Sequence, residues 1–427
     1  MNLKMVLVQE YGDSVQIEGD PGRLVQAFDH AEEHWSARLG TDAVFDVSAT
    51  AKGVEVRPLG VTGQVTVAGE TIEIVPKYLF PEDIDDWHGS IADILAFSQT
   101  ESFDLVSSAS GDRDVSTFVD LLAGAFAEEL RDSLQHGLPT EYVRTRETRD
   151  TVRGRLVTEE LYPQVLKDPT KVVCETDELS VDTVLGQTLR WAAYEYAHLT
   201  TDPTVRGELL ELETQLSEAT RRTPSLAELN RLFIPPQYRR FERAVELATW
   251  LRRNEGPTLR ESELELRGVL INTHELFQDF VDACLSFIAH TRSWEFDSEP
   301  STHLATSPSK LTAYPDHVIQ TADGGMVLDS KYVVSADWSD PESRGEERPN
   351  LNEVYQVVAA GRAMEIEEVG LVYPAVAGDY EGPWQLEGSG PTVNLHLIEI
   401  DPSRFEFENI EAFTDRTHSA LQALIRG

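Results

Sequence analysis

The chain has 427 residues, more than one hydrophobic core usually holds, so two or three domains are expected. Hydrophobic residues make up 41% of the sequence, which excludes a disordered acidic tail. The 75 acidic and 36 basic residues give a formal net charge of -39, which argues against nucleic-acid binding through an overall basic surface.

Lysine is scarce, since it accounts for only seven of the basic residues. We interpret the acidic, lysine-poor composition as adaptation to a halophilic host, where molar salt screens repulsion between carboxylates to within about 3 Å. The N-terminus becomes polar too soon for a secretory signal, and no run of about 18 apolar residues occurs. The protein is therefore expected in the cytoplasm, without a membrane partner.

Residues 1–89 are predicted to form a β-rich N-terminal domain. Valine and isoleucine alternate there with polar residues, which is typical of half-buried strands. One helix, entered at Pro21 and running to about Leu39, interrupts the strands.

Residues 90–260 are predicted to form a helical domain, because apolar residues recur there every four positions. A basic, strand-like insert, EYVRTRETRDTVRGRLV, separates the first helix from the later ones. Its arginines could contact phosphates, but we favour pairing with the abundant carboxylates of the chain itself. The acidic residues that follow the insert are interpreted as the start of a helix. They are Glu175, Asp177, Glu178 and Asp182.

Residues 261–427 are predicted to form an α/β domain with a mixed sheet. The region opens with a helix that starts at Asn272 and has Glu275 three residues on, a capping-box arrangement. Strands are expected around 314–320 and 326–333, then a helix over 352–364 and two apolar strands in GLVYP and VNLHLIEI. The whole chain is thus predicted to be a multidomain α+β protein.

Two charged residues interrupt an apolar strand in the segment YPDHVIQTADGGMVLDSKYVV, which predicts a β-hairpin. Asp329 and Lys331 are two positions apart, so they project from one face of the strand while Ser330 points away. Buried charges need a metal, each other or a ligand as partner. Asp316, Asp329 and the Ser330 carbonyl are candidate ligands for Mg²⁺ or Mn²⁺, and Lys331 is a candidate cation for phosphodiester hydrolysis.

One geometric difficulty accompanies this interpretation. Pairing the strands symmetrically about Gly324 and Gly325 would set Asp316 opposite Val333, roughly 13 Å along the strand from Asp329. A shifted register, for instance through a bulge near Pro315, is therefore required. The alternative interpretation is that Asp316 caps a turn and that Asp329 and Lys331 form a surface ion pair.

Segments along most of the chain resemble, in order, the McrC family of modified-cytosine restriction systems, whose nuclease core is of the PD-(D/E)xK type. They are GETIEIVPKY, RGRL, VVCETDELSVDTVLGQTLRWA, LINTHELFQDFV, the PD and DSK pair, NEVYQVVAAG and GLVYP. The resemblance implies a Mg²⁺-dependent DNA endonuclease subunit. It also implies that Asp316 and Asp329 bind metal, that Lys331 is catalytic, and that Tyr355 and Gln356 line the site.

The resemblance further implies a partner, an McrB-like AAA+ GTPase that recognises DNA with a modified cytosine such as 5-methylcytosine. GTP would bind only to that partner, since the chain has no P-loop of the form GxxxxGK[ST]. The β-rich N-terminal domain would engage the GTPase.

One position departs from the family pattern, because Gln278 stands where an acidic residue tends to complete the metal shell. Gln278 would contribute a weaker, neutral oxygen, or Glu275 would substitute from one turn away, although Glu275 also fits a helix-capping role. Two alternative functions therefore stay open. The chain could be a non-catalytic assembly or targeting protein that keeps the nuclease fold, or a standalone repair or defence nuclease.

Overall fold

The computed structural model describes residues 4–67, 70–79, 87–98, 117–256, 259–261, 264–307, 309–332, 351–374, 383–386 and 392–426. Contacts within the chain divide it into two units. One unit combines Met1–Asp114 with Gly256–Gly427, and the other comprises Val115–Glu255. None of the described helices has the length and apolar character that crossing a bilayer requires.

The N-terminal part of the first unit is rich in strands, as predicted. Its elements are β1 (Lys4–Gln9), β2 (Val15–Glu18), α1 (Pro21–Leu39), β3 (Phe45–Thr50), β4 (Gly53–Pro58), β5 (Val61–Val67), β6 (Glu70–Val75), a short 3-10 turn (Lys77–Leu79) and α2 (Trp87–Ser98). Strands β2, β4 and β3 form a small antiparallel sheet. Strands β1, β6 and β5 belong to a larger sheet, in which β1 runs parallel to β6.

Helix α1 has the bounds that the sequence predicts, because both of its ends carry capping signals. The Asp20 side chain accepts a hydrogen bond from the Arg23 N–H, and the helix ends at Gly40 in the left-handed conformation, with φ of 65°. Its buried face includes Trp35, whose ring lies 5.8 Å from that of Phe45 on β3. Aromatic side chains therefore form part of the core between this helix and strand β3.

The second unit is helical and contains an antiparallel ribbon, as predicted. Its elements are α3 (Phe118–Leu134), β7 (Glu141–Arg149), β8 (Arg155–Leu156), α4 (Thr158–Lys167), β9 (Val172–Ser180), α5 (Val184–Leu199), α6 (Pro203–Gln215), α7 (Leu226–Leu229) and α8 (Glu242–Asn254). Strand β9 pairs with both β7 and β8.

Arginines of the ribbon pair with carboxylates of the same unit, as favoured from the sequence. Arg144 contacts Asp177 at 3.2 Å, and Arg146 contacts Glu175 at 2.6 Å. The prediction that these two acids begin a helix is wrong, because both lie on β9, opposite the basic strand β7. Cross-strand pairing of opposite charges explains why acids stabilise a strand at this position.

The C-terminal part of the first unit contains a mixed sheet, as predicted. Its elements are β10 (Leu259–Glu261), β11 (Leu264–Asn272), α9 (Thr273–Arg292), β12 (Glu295–Ser298), β13 (Thr302–Ala305), β14 (Leu311–Ala313), β15 (His317–Gln320), β16 (Gly325–Ser330), α10 (Leu351–Met364), β17 (Glu368–Tyr373), β18 (Trp384–Leu386), β19 (Val393–Glu399) and α11 (Ile410–Arg426). The sheet has the order β12-β15-β16-β17-β19-β18, and its strands β16, β17 and β19 are parallel.

Strand β11 joins the two parts of the first unit in one sheet. It pairs antiparallel with β5, from Leu266 opposite Val67 to Asn272 opposite Val61. Most of β5 is buried, so both of its edges need hydrogen-bonding strands, and β6 and β11 supply them. The division predicted from the sequence, into 1–89, 90–260 and 261–427, differs from this arrangement because its boundary at 261 falls inside the sheet.

Candidate active site

The hairpin of β15 and β16 brings the two predicted carboxylates together. His317 pairs with Leu328 and Gln320 with Gly325, so the next position in the same register sets Asp316 opposite Asp329. The turn covers residues 321–324 and is closed by a 2.8 Å hydrogen bond from the Thr321 N–H to the Gly324 carbonyl. Symmetric pairing about Gly324 and Gly325 is therefore wrong, and the required shift comes from the position of the turn rather than from a bulge.

Asp329 is buried on β16 and pairs with Lys331, a partly buried residue just after the strand. Lys331 Nζ lies 2.7 Å from Asp329 Oδ2, and the Asp329 side chain is only 1% exposed. Asp329 Oδ1 has no hydrogen-bond partner among the described residues. Burial lowers the pKa of Lys331, but attraction to Asp329, and then to Asp316 and Glu353, outweighs it and leaves this pKa above its ordinary value. The pair is not a surface ion pair.

Asp316 is held beside this pair by the backbone of β16. Its Oδ2 accepts a 2.7 Å hydrogen bond from the Ser330 N–H. Burial and the nearby Asp329 raise the pKa of Asp316 to about 6, although the bond from Ser330 and the charge of Lys331 oppose the rise. A buried carboxylate whose proton affinity is raised by a second carboxylate beside it forms a site for a cation.

The arrangement fits a hard divalent cation. A buried carboxylate oxygen without a partner and a neighbouring carboxylate with a raised pKa would both be stabilised by a bound Mg²⁺. Within the described part of the chain, no group of three or more His, Cys, Asp and Glu residues is placed to hold a metal. The set of ligands would therefore consist of Asp316, Asp329 and neutral oxygens, such as the Ser330 carbonyl.

Helix α9 lies against the opposite face of the sheet, where the Ser330 side chain points. The Ser330 Oγ lies 2.8 Å from His317 Nε2, and His317 Nδ1 lies 3.4 Å from Asp282 of α9. One turn before Gln278, the His274 ring lies 4.9 Å from that of Tyr332. The structure therefore places Gln278 on the other face from Asp329. It makes no hydrogen bond to Asp316 or Asp329 within the described residues.

Glu275 also lies away from the carboxylate pair. The Asn272 side chain caps α9 by accepting hydrogen bonds from the N–H groups of His274 and Glu275. The Glu275 carboxylate points toward the end of α1, where a Cβ at Gly40 would lie 3.6 Å from its Oε1. Asn272 is thus the helix cap that the sequence predicted, and no contact between described residues brings Glu275 to Asp329.

Helix α10 covers the face that carries Asp329 and Lys331. Its residues Val354 and Val357 pack in one core cluster with Val327. Tyr355 is 65% exposed, and Gln356 is exposed too, so neither side chain is held against the carboxylates.

Glu353 is a site residue that the sequence reasoning missed. Tyr373 donates a 3.0 Å hydrogen bond to Glu353 Oε2, and the Glu353 charge helps to raise the pKa of Lys331. The signal was present in the sequence, because Glu353 shares a helical stripe with the apolar Val357 and Ala360, four and seven positions on.

Comparison with protein families identifies the chain. A family model described as McrBC 5-methylcytosine restriction system component matches residues 56–374, about three quarters of the sequence. The chain belongs to this family. No curated protein sequence matches this McrBC-family chain.

One solved structure shows the same fold at low sequence identity, and a second is reported beside it. One is described as a refined half-complex from a tetradecameric assembly of Thermococcus gammatolerans McrB AAA+ hexamers with bound McrC. Its matching chain is 17% identical, with a TM-score of 0.65 over 98% of the McrBC-family chain and 100% of that chain. A chain in the cryo-EM structure of the Thermococcus gammatolerans McrBC complex is 18% identical, with a TM-score of 0.48 over 66% of this chain and 87% of its own.

Proposed function

We propose that this McrBC-family chain is the DNA endonuclease subunit of a GTP-dependent restriction complex that acts on DNA with modified cytosine. The observation that carries the proposal is the register of β15 and β16. It sets Asp316 opposite Asp329, with Lys331 2.7 Å from the Asp329 carboxylate. Close carboxylates with a cation beside them are the groups that metal-assisted phosphodiester hydrolysis uses, in the manner of PD-(D/E)xK nucleases.

Asp316, Asp329 and the Ser330 carbonyl would hold the metal, Mg²⁺ or Mn²⁺. When bound, the ion would supply a Lewis acid beside the scissile phosphate. The Ser330 N–H bond to Asp316 fixes one carboxylate, and Lys331 fixes the other. Gln278 as a further ligand stays a prediction, although its helix packs on the opposite face of the sheet.

Lys331 would act as a cation rather than as a base. Its pKa lies above the ordinary lysine value, so the ammonium stays protonated at neutral pH and has no lone pair with which to accept a proton. Its N–H groups can instead donate hydrogen bonds to negative charge that develops on the phosphoryl oxygens, and orient an attacking water.

Helix α10 would supply further groups to the site. Glu353, beside Lys331 and Tyr373, would help to keep the ammonium in place. The exposed Tyr355 and Gln356 are proposed to contact the DNA rather than to position the carboxylates, because their side chains are free to meet a ligand from solvent.

A McrB-like AAA+ GTPase is the proposed partner. Support comes from family membership and from the fold shared with a chain of the Thermococcus gammatolerans assembly, in which McrC is bound to McrB AAA+ hexamers. The β-rich N-terminal region is proposed to engage this partner, and GTP would bind only to the GTPase.

The test is cleavage of methylated and unmethylated DNA by the chain together with the AAA+ GTPase encoded in the same genome, with GTP and Mg²⁺ at near-molar potassium. We expect wild type and Lys310→Met, an exposed control lysine, to cleave methylated DNA, and Lys331→Met to lose about 10²- to 10³-fold in rate per folded molecule. Equal rates for Lys331→Met and wild type would refute the catalytic assignment.

A non-catalytic assembly role is the second candidate, and one observation favours it. The described residues contain no third carboxylate, histidine or cysteine grouped with Asp316 and Asp329. Stimulation of GTP hydrolysis by wild type, without cleavage of any DNA, would support this role over the nuclease.

A further inference from the structure

Lys77 is a second lysine close to the proposed active site. The seven lysines of the chain are Lys4, Lys52, Lys77, Lys167, Lys171, Lys310 and Lys331. Lys77 Nζ donates a hydrogen bond to the backbone carbonyl of Tyr332, the residue after Lys331. The same ammonium lies 4.2 Å from the centre of the Tyr332 ring. Lys77 thus contacts the strand end that carries Lys331, although 255 positions separate it from Tyr332.

A buried polar cluster holds Lys77 in this position. The Lys77 N–H donates to Glu10 Oε1 at 3.0 Å, and the Thr273 hydroxyl donates to Glu10 Oε2 at 2.7 Å. Glu10 and Thr273 are fully buried. Burial lowers the pKa of Lys77 to about 8, although the attraction of Glu10 opposes this. A desolvated ammonium needs specific contacts to offset its lost hydration, and Tyr332 supplies both a carbonyl oxygen and an aromatic face.

Tyr332 is fixed from several sides, so the position of its backbone is well defined. Its ring is 3% exposed and lies 5.8 Å from the Tyr78 ring and 4.9 Å from the His274 ring. One residue earlier, the Lys331 N–H donates a 2.8 Å hydrogen bond to the Val372 carbonyl of β17. The backbone of Lys331 is therefore held by β17 on one side and, through Tyr332, by Lys77 on the other.

We propose that Lys77 is a positioning residue that fixes the Tyr332 backbone and thereby aims the Lys331 ammonium at Asp329. The inference rests on the proposed function, because it assumes that Lys331 acts in DNA cleavage. Misplacing a reacting group by about 1 Å can cost about 10²-fold in rate. Lys77→Met, which keeps the apolar stem and removes the ammonium, should therefore lower kcat by about 10- to 100-fold and leave KM for DNA unchanged.

Because lysine is scarce, the backbone amide of Lys331 can be observed directly by NMR. Lysine-selective ¹⁵N labelling of the full chain gives at most seven backbone amide signals, and Lys331→Arg identifies the one from Lys331. We expect Lys77→Met to shift the Lys331 signal and to lower kcat per folded molecule. Lys310→Met, which removes an exposed lysine of the same unit, should change neither.

Three results would overturn the positioning role: an unmoved Lys331 signal in folded Lys77→Met, a wild-type kcat, or a raised KM with kcat unchanged. If Lys77→Met does not fold, Lys77→Arg replaces it, since arginine keeps the charge but presents a planar fork to the Tyr332 carbonyl. For Lys77→Arg, a shift of the Lys331 amide signal and a smaller loss of kcat would support the proposal. Wild-type values in both measurements would overturn it. Failure of the proposed function can be distinguished from failure of the positioning role. In the first case wild type would not cleave DNA, whereas the amide shift tests the positioning role without DNA.

Discussion

Removing the charge of Lys331 and removing the charge of Asp329 should destabilise the protein by different amounts. Lys331→Met leaves the Asp329 carboxylate, 1% exposed, next to Asp316 and without its cation. Asp329→Asn leaves the Lys331 ammonium instead, and this side chain is 23% exposed and can turn its charge toward water. The buried carboxylate pays the larger desolvation penalty, so Lys331→Met should be the more destabilising change in metal-free protein.

The distance between the two charges gives the size of this difference in stability. At the observed 2.7 Å, two unit charges attract by about 6 kcal/mol for an effective dielectric of about 20. Desolvation offsets part of this, and breaking a buried pair typically costs about 3–5 kcal/mol. We expect about that loss for Lys331→Met and about 1 kcal/mol or less for Asp329→Asn. With Mg²⁺ at about 100 times its dissociation constant, Lys331→Met should regain about 2.7 kcal/mol, whereas Asp329→Asn should regain much less.

Denaturant unfolding followed by circular dichroism, at near-molar potassium with either EDTA or Mg²⁺, measures both effects. Lys310→Met serves as the control for loss of an exposed lysine. Equal destabilisation by Lys331→Met and Asp329→Asn without metal would refute the burial argument. Stabilisation of Asp329→Asn by Mg²⁺ to the same extent as wild type would remove Asp329 from the metal site.

Three further predictions follow from the same contacts. Burial and Asp329 raise the pKa of Asp316 from 3.8 to about 6. The protonated Asp316 carboxyl therefore contributes its full stabilisation below about pH 3.8, and this stabilisation is lost as the pH rises through about 6. In metal-free protein, Asp316→Asn should therefore gain stability relative to wild type as the pH rises from about 4 to about 6, and a constant difference in unfolding midpoints would contradict the shift. A fragment of residues 261–427 should fail to fold, because β11 loses its pairing with β5, and resistance of this fragment to limited proteolysis would show otherwise. Tyr355→Ala should change the unfolding free energy by no more than about 0.5 kcal/mol, since the side chain is 65% exposed, so that any lower cleavage rate can be assigned to contact with DNA.

Local sequence patterns determined where several helices begin and which residues share a strand face. The capping residues of α1 and of the helix after Asn272 fixed where those helices begin, because the groups that satisfy a helix end are neighbours in sequence. The period of two along a strand put Asp329 and Lys331 on one face, since alternation is a property of the extended backbone itself. These features needed no knowledge of the rest of the chain.

Tertiary structure decided which distant groups meet. The register of the hairpin, and with it the closeness of Asp316 to Asp329, depends on where the turn forms, and a shift of the turn by two positions changes the pairing by four. The acids of β9 were predicted to begin a helix because acids favour the first turn, but the arginines of β7 stabilise them in a strand. Lys77 and Tyr332 illustrate the same limit, because a hydrogen bond between residues 255 positions apart leaves no periodicity in the sequence. It exists only once the sheet that contains β6 and the sheet that contains β16 have formed.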